Sequence, residues 1–346
     1  MHILSPDARR IVRGALTADG PAVSAVVLTY RRQDLLRDCL SSLAAALAEV
    51  PEPTEIVVVD NGSPGNVATR RVREWCPDAE IVVLTENRGY AGGVVEGIRR
   101  ARGEWVLTVG DDSTLDEGAV VALLAAGRSA PDVGSVAAKM LFAESAGGAM
   151  INSAGLEIDR LGIAADRLVG QPAGAGEGHV TEVFGTSGGG ALYRAAMLDA
   201  IGSFDASFGL YLEDADVAWR ARRAGWRCLY VPGAVVYHHH SATTGHRSPG
   251  KYRHVGRNRV RLVAKNATRR QLLRYALPMI GYDLAYVAYA ALANRTLAPL
   301  HGRLEGLRHW RADRRAARPE VEVELAPVLG LRAALRRNRA WRLGSG

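Results

Sequence analysis

The sequence predicts an α/β fold, a mostly parallel central sheet flanked by helices, followed by a helical C-terminal extension. Three observations lead there. Short apolar runs rich in Val and Ile (VSAVVLT, EIVVVD, IVVL, WVLTV) are near-continuous and carry no charge in their interiors, as strands buried on both faces do. Segments with apolar residues at helical spacing separate these runs, so strand and helix alternate. A chain of 346 residues with 48% hydrophobic content can bury one large domain plus an appendage, or two domains.

Taken in order, residues 23–29 read as the first strand and 34–47 as a helix. Residues 55–60 are a second strand, closed by the turn formers Asn61, Gly62 and Ser63. A helix over 68–75 ends before Pro77, and 81–84 is the third strand. The segment NRGYAGG, 87–93, reads as a Gly-rich turn opening a short helix over 94–101. The fourth strand, 105–109, runs into Gly110, Asp111 and Asp112. A helix over 116–126 and a strand over 133–138 follow, and the Gly/Ala-rich stretch 141–182 reads as loops and hairpins. GTSGGGALY, 185–193, passes from a Gly-rich turn into a strand. Residues 194–201 and 214–224 are helical, the second stopped by Gly225; 227–231 and 235–238 are two short strands. From about residue 252 the chain reads as helical, with Pro319 breaking it before a basic terminal segment.

The net charge of +8 is unevenly spread: residues 251–346 hold 21 Lys+Arg against 6 Asp+Glu, and residues 1–250 hold 23 against 30. The basic surplus therefore belongs to the tail. It suits an anionic membrane surface, or it is a solvated helical face in an arginine-rich chain. An acidic main domain argues against nucleic acid as a partner. Cys39, Cys76 and Cys228 have neither paired spacing nor a CxxC motif, as expected of reduced thiols in the cytoplasm. Residues 1–20 lack an apolar signal core. The apolar stretch 272–293 contains Arg274, Pro278 and Asp283, so it is expected to be a poor spanning helix and to lie in a membrane interface or pack on the main domain.

Two stretches carry chemistry. Residues 87–112 lead through a helix and an apolar strand to adjacent carboxylates at the strand's carboxyl end, a place to hold a divalent metal against a phosphate. Residues 208–240 add a second acidic cluster and a strand ending in histidines. Together they point to metal-assisted transfer from a nucleotide-activated donor. Plain alternatives stand beside each feature. Asp60-Asn61-Gly62 makes an ordinary turn, Asp111-Asp112 caps the next helix, residues 213–216 enrich a helix N-terminus in acid, and His238 is structural.

The succession VVLTYRR, EIVVVDNGS, ENRGYAGGVVEGIRRARGEWVLTVGDDS, FGTSGGGALYR and GSFDASFGLYLEDADVAWRARRAGWRCLYVPGAVVYHH resembles the family-2 glycosyltransferases of GT-A fold, most closely their bacterial rhamnosyltransferase-like branch. One motif alone would be weak; five in order are specific. The resemblance spans roughly residues 23–265 and implies a nucleotide-diphospho-sugar transferase domain over 21–265. An N-terminal extension, 1–20, would precede it and a basic, mainly helical extension, 266–346, would follow.

By this resemblance Thr29, Tyr30 and Arg31 hold the donor nucleotide and Asp60 meets its base. Asn87, Arg88 and Gly89 form the donor-site turn, with Gly92 and Gly93 letting backbone and helix N-terminal amides approach the diphosphate. Asp112 matches the last acid of the metal-binding DxD motif, taking Mg2+ or Mn2+, and His238 completes that site. Gly110 stands where the motif has its first Asp, which leaves Asp111 on the donor side rather than as a ligand. Asp214 matches the general base, with Glu213 tuning it, and Gly188, Tyr211 and Asp216 lie on the acceptor side. The QxxRW motif of processive relatives is missing.

The implied activity is non-processive, inverting transfer of one sugar from a dTDP- or UDP-linked donor, dTDP-L-rhamnose by preference. The implied acceptor is a lipid-linked or cell-envelope saccharide, met in the cytoplasm at the inner face of the membrane. Two rivals remain: a transferase acting on a soluble natural product or protein, and a sugar-nucleotide-binding scaffold without turnover, which Gly110 motivates. The oligomeric state is open.

Overall fold

The computed structural model describes residues 20–143, 149–176, 178–239 and 248–328. The expected N-terminal extension, apart from Gly20, and the basic segment 329–346 lie outside the described residues.

The first half alternates strand and helix: β1 (Val23–Thr29), α1 (Gln33–Ala48), β2 (Thr54–Asp60), α2 (Val67–Trp75), β3 (Glu80–Val83), α3 (Gly89–Arg100) and β4 (Trp105–Gly110). The second half is mixed: β5 (Ser113–Leu115), α4 (Ala119–Arg128), β6 (Val133–Phe142), β7 (Ile151–Ser153), β8 (Leu156–Ile158), β9 (Ala164–Asp166), β10 (Thr181–Val183), β11 (Gly190–Arg194), α5 (Ala195–Ile201), α6 (Glu213–Arg223) and β12 (Arg227–His238). Three helices follow: α7 (Pro249–Asn266), α8 (Arg269–Ala293) and α9 (Ala298–Ala317).

The main sheet runs β10-β12-β6-β11-β4-β1-β2-β3. β1 lies parallel between β2 and β4, in a register that sets Thr29 beside Asp60 and Leu28 beside Gly110. The chain steps outward from β1 to β3 and then returns to β4 on the other side of β1. That reversal leaves a crevice at the carboxyl ends of β1 and β4, where ligands of open α/β sheets bind. β11 is antiparallel to both β4 and β6, and β12 is parallel to β6. The sheet is covered on both faces. Leu36, Leu40 and Leu43 of α1 and Leu123 of α4 pack with Leu107 on one side, and Val94 and Ile98 of α3 pack with Val26, Val57 and Val106 on the other. Each such buried side chain contributes roughly 1.5–3 kcal/mol.

Three local expectations change. α3 starts at Gly89 rather than 94, so Gly92 and Gly93 are buried helical residues and not a loose turn. A Cβ on Gly93 would collide with Leu28, and one on Gly97 with Val26. These glycines let the helix settle on β1. Ser113–Leu115 is strand, so α4 begins at Ala119. β12 is a single strand whose register slips between Val231 and Val235, absorbing Pro232 and Gly233.

α7 is not a solvated basic helix. Arg259, Arg261 and Lys265 are all buried and paired. Arg261 grips Asp313 of α9 with two bonds of 2.9 Å, and Lys265 reaches Asp205 at 2.8 Å and Asp216 at 2.9 Å. Gly302 and Gly306 let the α9 backbone press on α7: a Cβ on Gly306 would lie 2.6 Å from the Arg257 carbonyl oxygen, and one on Gly302 would strike that of Arg253. α8 differs, with only Gln271, Met279 and Ala290 buried. By length and composition alone it is long and apolar enough to cross a membrane, although Arg274, Pro278 and Asp283 interrupt it.

Candidate active site

At the carboxyl ends of β1 and β2, loop contacts are dense. The Tyr30 N–H donates to Asp111 Oδ2 at 3.2 Å. Arg31 sits at φ 63°, its N–H donates to Ser63 Oγ at 3.1 Å, and its guanidinium lies 4.9 Å from the Tyr30 ring. Thr29 and Asp60 are buried side by side. Asp60 accepts from the Ser63 N–H at 2.9 Å and the Thr69 hydroxyl at 3.3 Å, so its carboxylate shapes the turn. Asn61 donates to Asn87 Oδ1 at 3.2 Å and to the Gly89 carbonyl at 3.0 Å, and accepts from the Arg88 N–H at 2.9 Å. Gly62, at φ 80°, permits this closeness, since a Cβ there would lie 2.5 Å from the Glu86 carbonyl carbon.

Two amides at the start of α3 are engaged within the protein. The Gly89 N–H donates to Asn87 Oδ1 at 2.8 Å and the Ala91 N–H to the Gly209 carbonyl at 2.8 Å. Arg88 reaches solvent, pairing with Glu96 at 3.1 Å.

Sheet register assembles the second centre. β5 pairs with the end of β12, Ser113 opposite His238. His238 Nε2 consequently lies 3.4 Å from Asp112 Oδ1, and the His239 N–H donates to the Asp112 carbonyl at 2.9 Å. Asn152 of β7 presents Oδ1 to His238 Nδ1 at 3.0 Å. In the tautomer with its proton on Nδ1, His238 would donate to the Asn152 carboxamide oxygen and turn its Nε2 lone pair to Asp112, as a metal-bound imidazole does. Two facing electron-pair donors of this kind fit a divalent cation. Among the described residues no cluster of three or more His, Cys, Asp or Glu side chains forms a closed cage. Carboxylate and imidazole would thus leave most positions to phosphate oxygens and water, as suits Mg2+ or Mn2+. Asp111, beside this pair, is buried, and burial pushes its carboxyl up to about 7, with the charge of Asp112 adding.

The third centre is the start of α6. Tyr211 at φ 73° and Leu212 at φ 66° are consecutive left-handed non-glycine residues, each costing about 1 kcal/mol or more. Asn258 of α7 holds this turn, its amide donating to the carbonyls of Phe208 at 2.9 Å, Leu210 at 2.9 Å and Tyr211 at 2.7 Å. The turn delivers Glu213 and Asp214. Asp214 Oδ1 accepts from the Ala215 N–H at 2.7 Å, and the Gly188 N–H also bonds its carboxylate. Burial pushes Asp214 up to about 6, the nearby charge of Asp166 adding to it. Glu213 is buried and pushed well above the usual carboxyl range by burial and by Asp214, and its Oε2 has no hydrogen-bond partner among the described residues. Tyr90 donates to the Gly188 carbonyl, and the charges of Glu213, Asp214 and Asp112 all reach its phenol. It therefore stands between the two acidic centres.

Asp216 does not line an acceptor groove. It is fully buried, accepting from Arg220 at 2.8 Å, Lys265 at 2.9 Å and Asn266 at 2.9 Å. It ties α6 to α7 and corrects its acceptor-side assignment. Tyr211 does stand near the site, its ring 5.2 Å from Lys251 Nζ. Asn61, Tyr90, Asn152 and Asn258 escaped the sequence reading. The first two sit inside recognised motifs, whereas nothing in the pattern marks the others.

A family model for glycosyltransferase-like family 2 matches residues 21–259. The chain belongs to this family. The N-acetylglucosaminyl-diphospho-decaprenol L-rhamnosyltransferase of Mycobacterium tuberculosis is 27% identical over 256 residues, 66% of this chain and 78% of that protein. An N-acetylglucosaminyltransferase of Rhizobium meliloti is 29% identical over 226 residues, 62% of this chain and 50% of that one. Among solved structures, that of GalNAc-T7 with UDP, GalNAc and Mn2+ superposes with a TM-score of 0.55 at 13% identity, over 72% of this chain and 48% of that chain. The family-2 transferase fold is GT-A, with a mostly parallel central sheet, flanking helices and a helical C-terminal region.

Proposed function

We propose that this family-2 glycosyltransferase is a non-processive inverting enzyme. It moves one sugar from a nucleoside diphosphate, L-rhamnose from dTDP by preference, to a hydroxyl of a lipid-linked saccharide at the inner face of the membrane. The rhamnosyltransferase named above supports the sugar and the acceptor class. Residues 21–265 form the catalytic unit and 266–346 its extension. One observation carries the mechanism: a half-buried carboxylate, Asp214, held by two backbone amides with its pKa raised to about 6. A base poised near neutral pH is basic enough to take an acceptor proton and still ionised at the working pH.

Asp214 removes the acceptor proton as the oxygen attacks the anomeric carbon opposite the leaving diphosphate. Burial and the charge of Asp214 favour the protonated form of Glu213, which adds no second charge against the base and can donate a hydrogen bond to it or to the sugar. Tyr30, Arg31 and the 87–89 turn frame the nucleotide, with Thr29 and Asp60 shaping the floor beneath. Asp112 and His238 would hold Mg2+ or Mn2+, whose chemistry is to offset charge on the departing diphosphate. Asp111 steadies the donor-side loop through the Tyr30 amide.

Thermal unfolding with dTDP, UDP and GDP, each with and without Mn2+, tests the donor side. A metal-dependent rise with one nucleotide is expected. No rise with any of them, in a folded sample, would favour a scaffold without turnover.

A further inference from the structure

Half of α8 faces outward and nothing in the described residues covers it. Leu273, Leu277, Leu284 and Leu292 are 89%, 83%, 65% and 83% exposed, and Ile280 joins them. Between residues 275 and 294 the only charged side chain is Asp283, and it turns inward to Arg259 at 2.8 Å and Arg303 at 2.7 Å. The outer face is thus apolar for about 30 Å. Arginines frame it: Arg269, Arg270 and Arg274 at its start and Arg295 just beyond its end, all exposed. The other acids of α8 and α9 are also spent on α7, Glu305 on Arg253 at 2.8 Å and Asp313 on Arg261 at 2.9 Å. An apolar stripe between cationic ends remains.

We propose that α8 is an in-plane membrane anchor, its apolar face sunk into the acyl boundary of an anionic bilayer and its terminal arginines among the headgroups. The charge pattern selects this occupant. Apolar area supplies insertion and arginine supplies attraction to anionic lipid, whereas a second copy packed face to face would bring arginine-bearing ends together. The attachment of α8 selects an in-plane position over a spanning one. Its inner face is fastened along its length: Gln271 to the Val323 carbonyl at 3.0 Å, Met279 in a core cluster with Val263, Asp283 to two arginines, and Tyr286 at 6.5 Å from Tyr252. Spanning would strip these contacts and leave Asp283 in hydrocarbon. Tyr252 and Arg259, which hold α8, share α7 with Asn258, which holds the Asp214 turn. Docking therefore brings a lipid-borne acceptor towards the base, a consequence that rests on the proposed function, although the binding itself does not.

The test is flotation of the full chain with vesicles of phosphatidylcholine and phosphatidylglycerol, against phosphatidylcholine alone, without any saccharide acceptor. The protein is expected to float with anionic vesicles. A Leu277→Glu/Leu284→Glu variant should lose at least about tenfold in partitioning while keeping its melting temperature and its nucleotide response, since both positions are exposed. Failure of the unaltered chain to float, or equal flotation of the variant, would overturn the proposal. So would a solution dimer that the variant dissociates, which assigns the face to a second copy. Resistance of the membrane-bound protein to alkaline carbonate would replace the in-plane anchor with a spanning helix. Undiminished transfer to a water-soluble saccharide, with flotation retained, would sink the lipid-acceptor reading and leave this surface standing.

Discussion

Two adjacent carboxylate pairs, Asp111 with Asp112 and Glu213 with Asp214, look alike in sequence and are supported by opposite means. The first rides on sheet register. Asp111 follows β4 directly, Tyr30 follows β1 beside it, and β5 on β12 sets His238 against Asp112. The second rides on a turn with two left-handed residues, held by one asparagine from α7. Register is shared by many ladder bonds, so the Asp111–Asp112 pair is insensitive to any single distant contact. The Glu213–Asp214 pair depends on a helix nearly fifty residues downstream, Asn258 bonding the carbonyl of Tyr211 across 47 residues. In each pair burial raises at least one carboxyl, Asp111 to about 7 and Asp214 to about 6.

This contrast can be broken most sharply at Asp214. Asp214→Asn keeps the shape and removes the base, so turnover should fall roughly 10²–10⁴-fold while nucleotide still stabilises the protein. Equal loss of nucleotide binding would place Asp214 on the donor side. On the other pair, Asp112→Asn should abolish the metal dependence of nucleotide binding. Asn152→Ala, which frees the His238 ring, should weaken Mn2+ binding by about 10–100-fold in calorimetric titration. Unchanged affinity would remove His238 from the ligand set.

Asn258→Ala asks whether the Glu213–Asp214 pair leans on α7. Stability should drop by about 1–3 kcal/mol in urea unfolding, from carbonyls left without a donor, and kcat should fall with nucleotide affinity unchanged. A variant that loses stability but keeps kcat would reduce Asn258 to packing.

The gentlest probe is pH. Transfer should rise as pH climbs through about 6, where Asp214 ionises. The stability sign runs the other way. A folded pKa raised above the ordinary 3.8 means the folded state holds the proton more tightly. That contribution is present below pH 3.8 and is lost as pH rises through about 6. Asp214→Asn should flatten both trends, and a profile unmoved by the substitution would assign the ionisation elsewhere.

The sequence by itself determined the alternation of strand and helix in the first half, the carboxyl ends of β1 to β4 to within a residue, and the family. Each follows from local pattern: apolar runs for buried strands, helical spacing for covering helices, and motifs whose residues are neighbours along the chain. It also placed Asp111, Asp112 and Asp214 at element ends, where side chains meet a crevice. Tertiary structure alone decided the rest. β5 is too short to carry a periodic signal and exists because β12 pairs with it. Gly92 and Gly93 look like a phosphate turn in sequence, yet Gly93 serves close approach to Leu28, which only packing reveals. Asp216 looks like an acceptor-side acid beside Asp214, yet the helix points it at Arg220 and Lys265. The arginines of α7 and α8 read alike, and only the fold buries Arg259 and Arg261 of α7 in ion pairs while leaving α8 its apolar face. Local pattern encodes what a residue does with its neighbours in the chain; which distant partner it meets is a property of the assembled sheet and the helices laid across it.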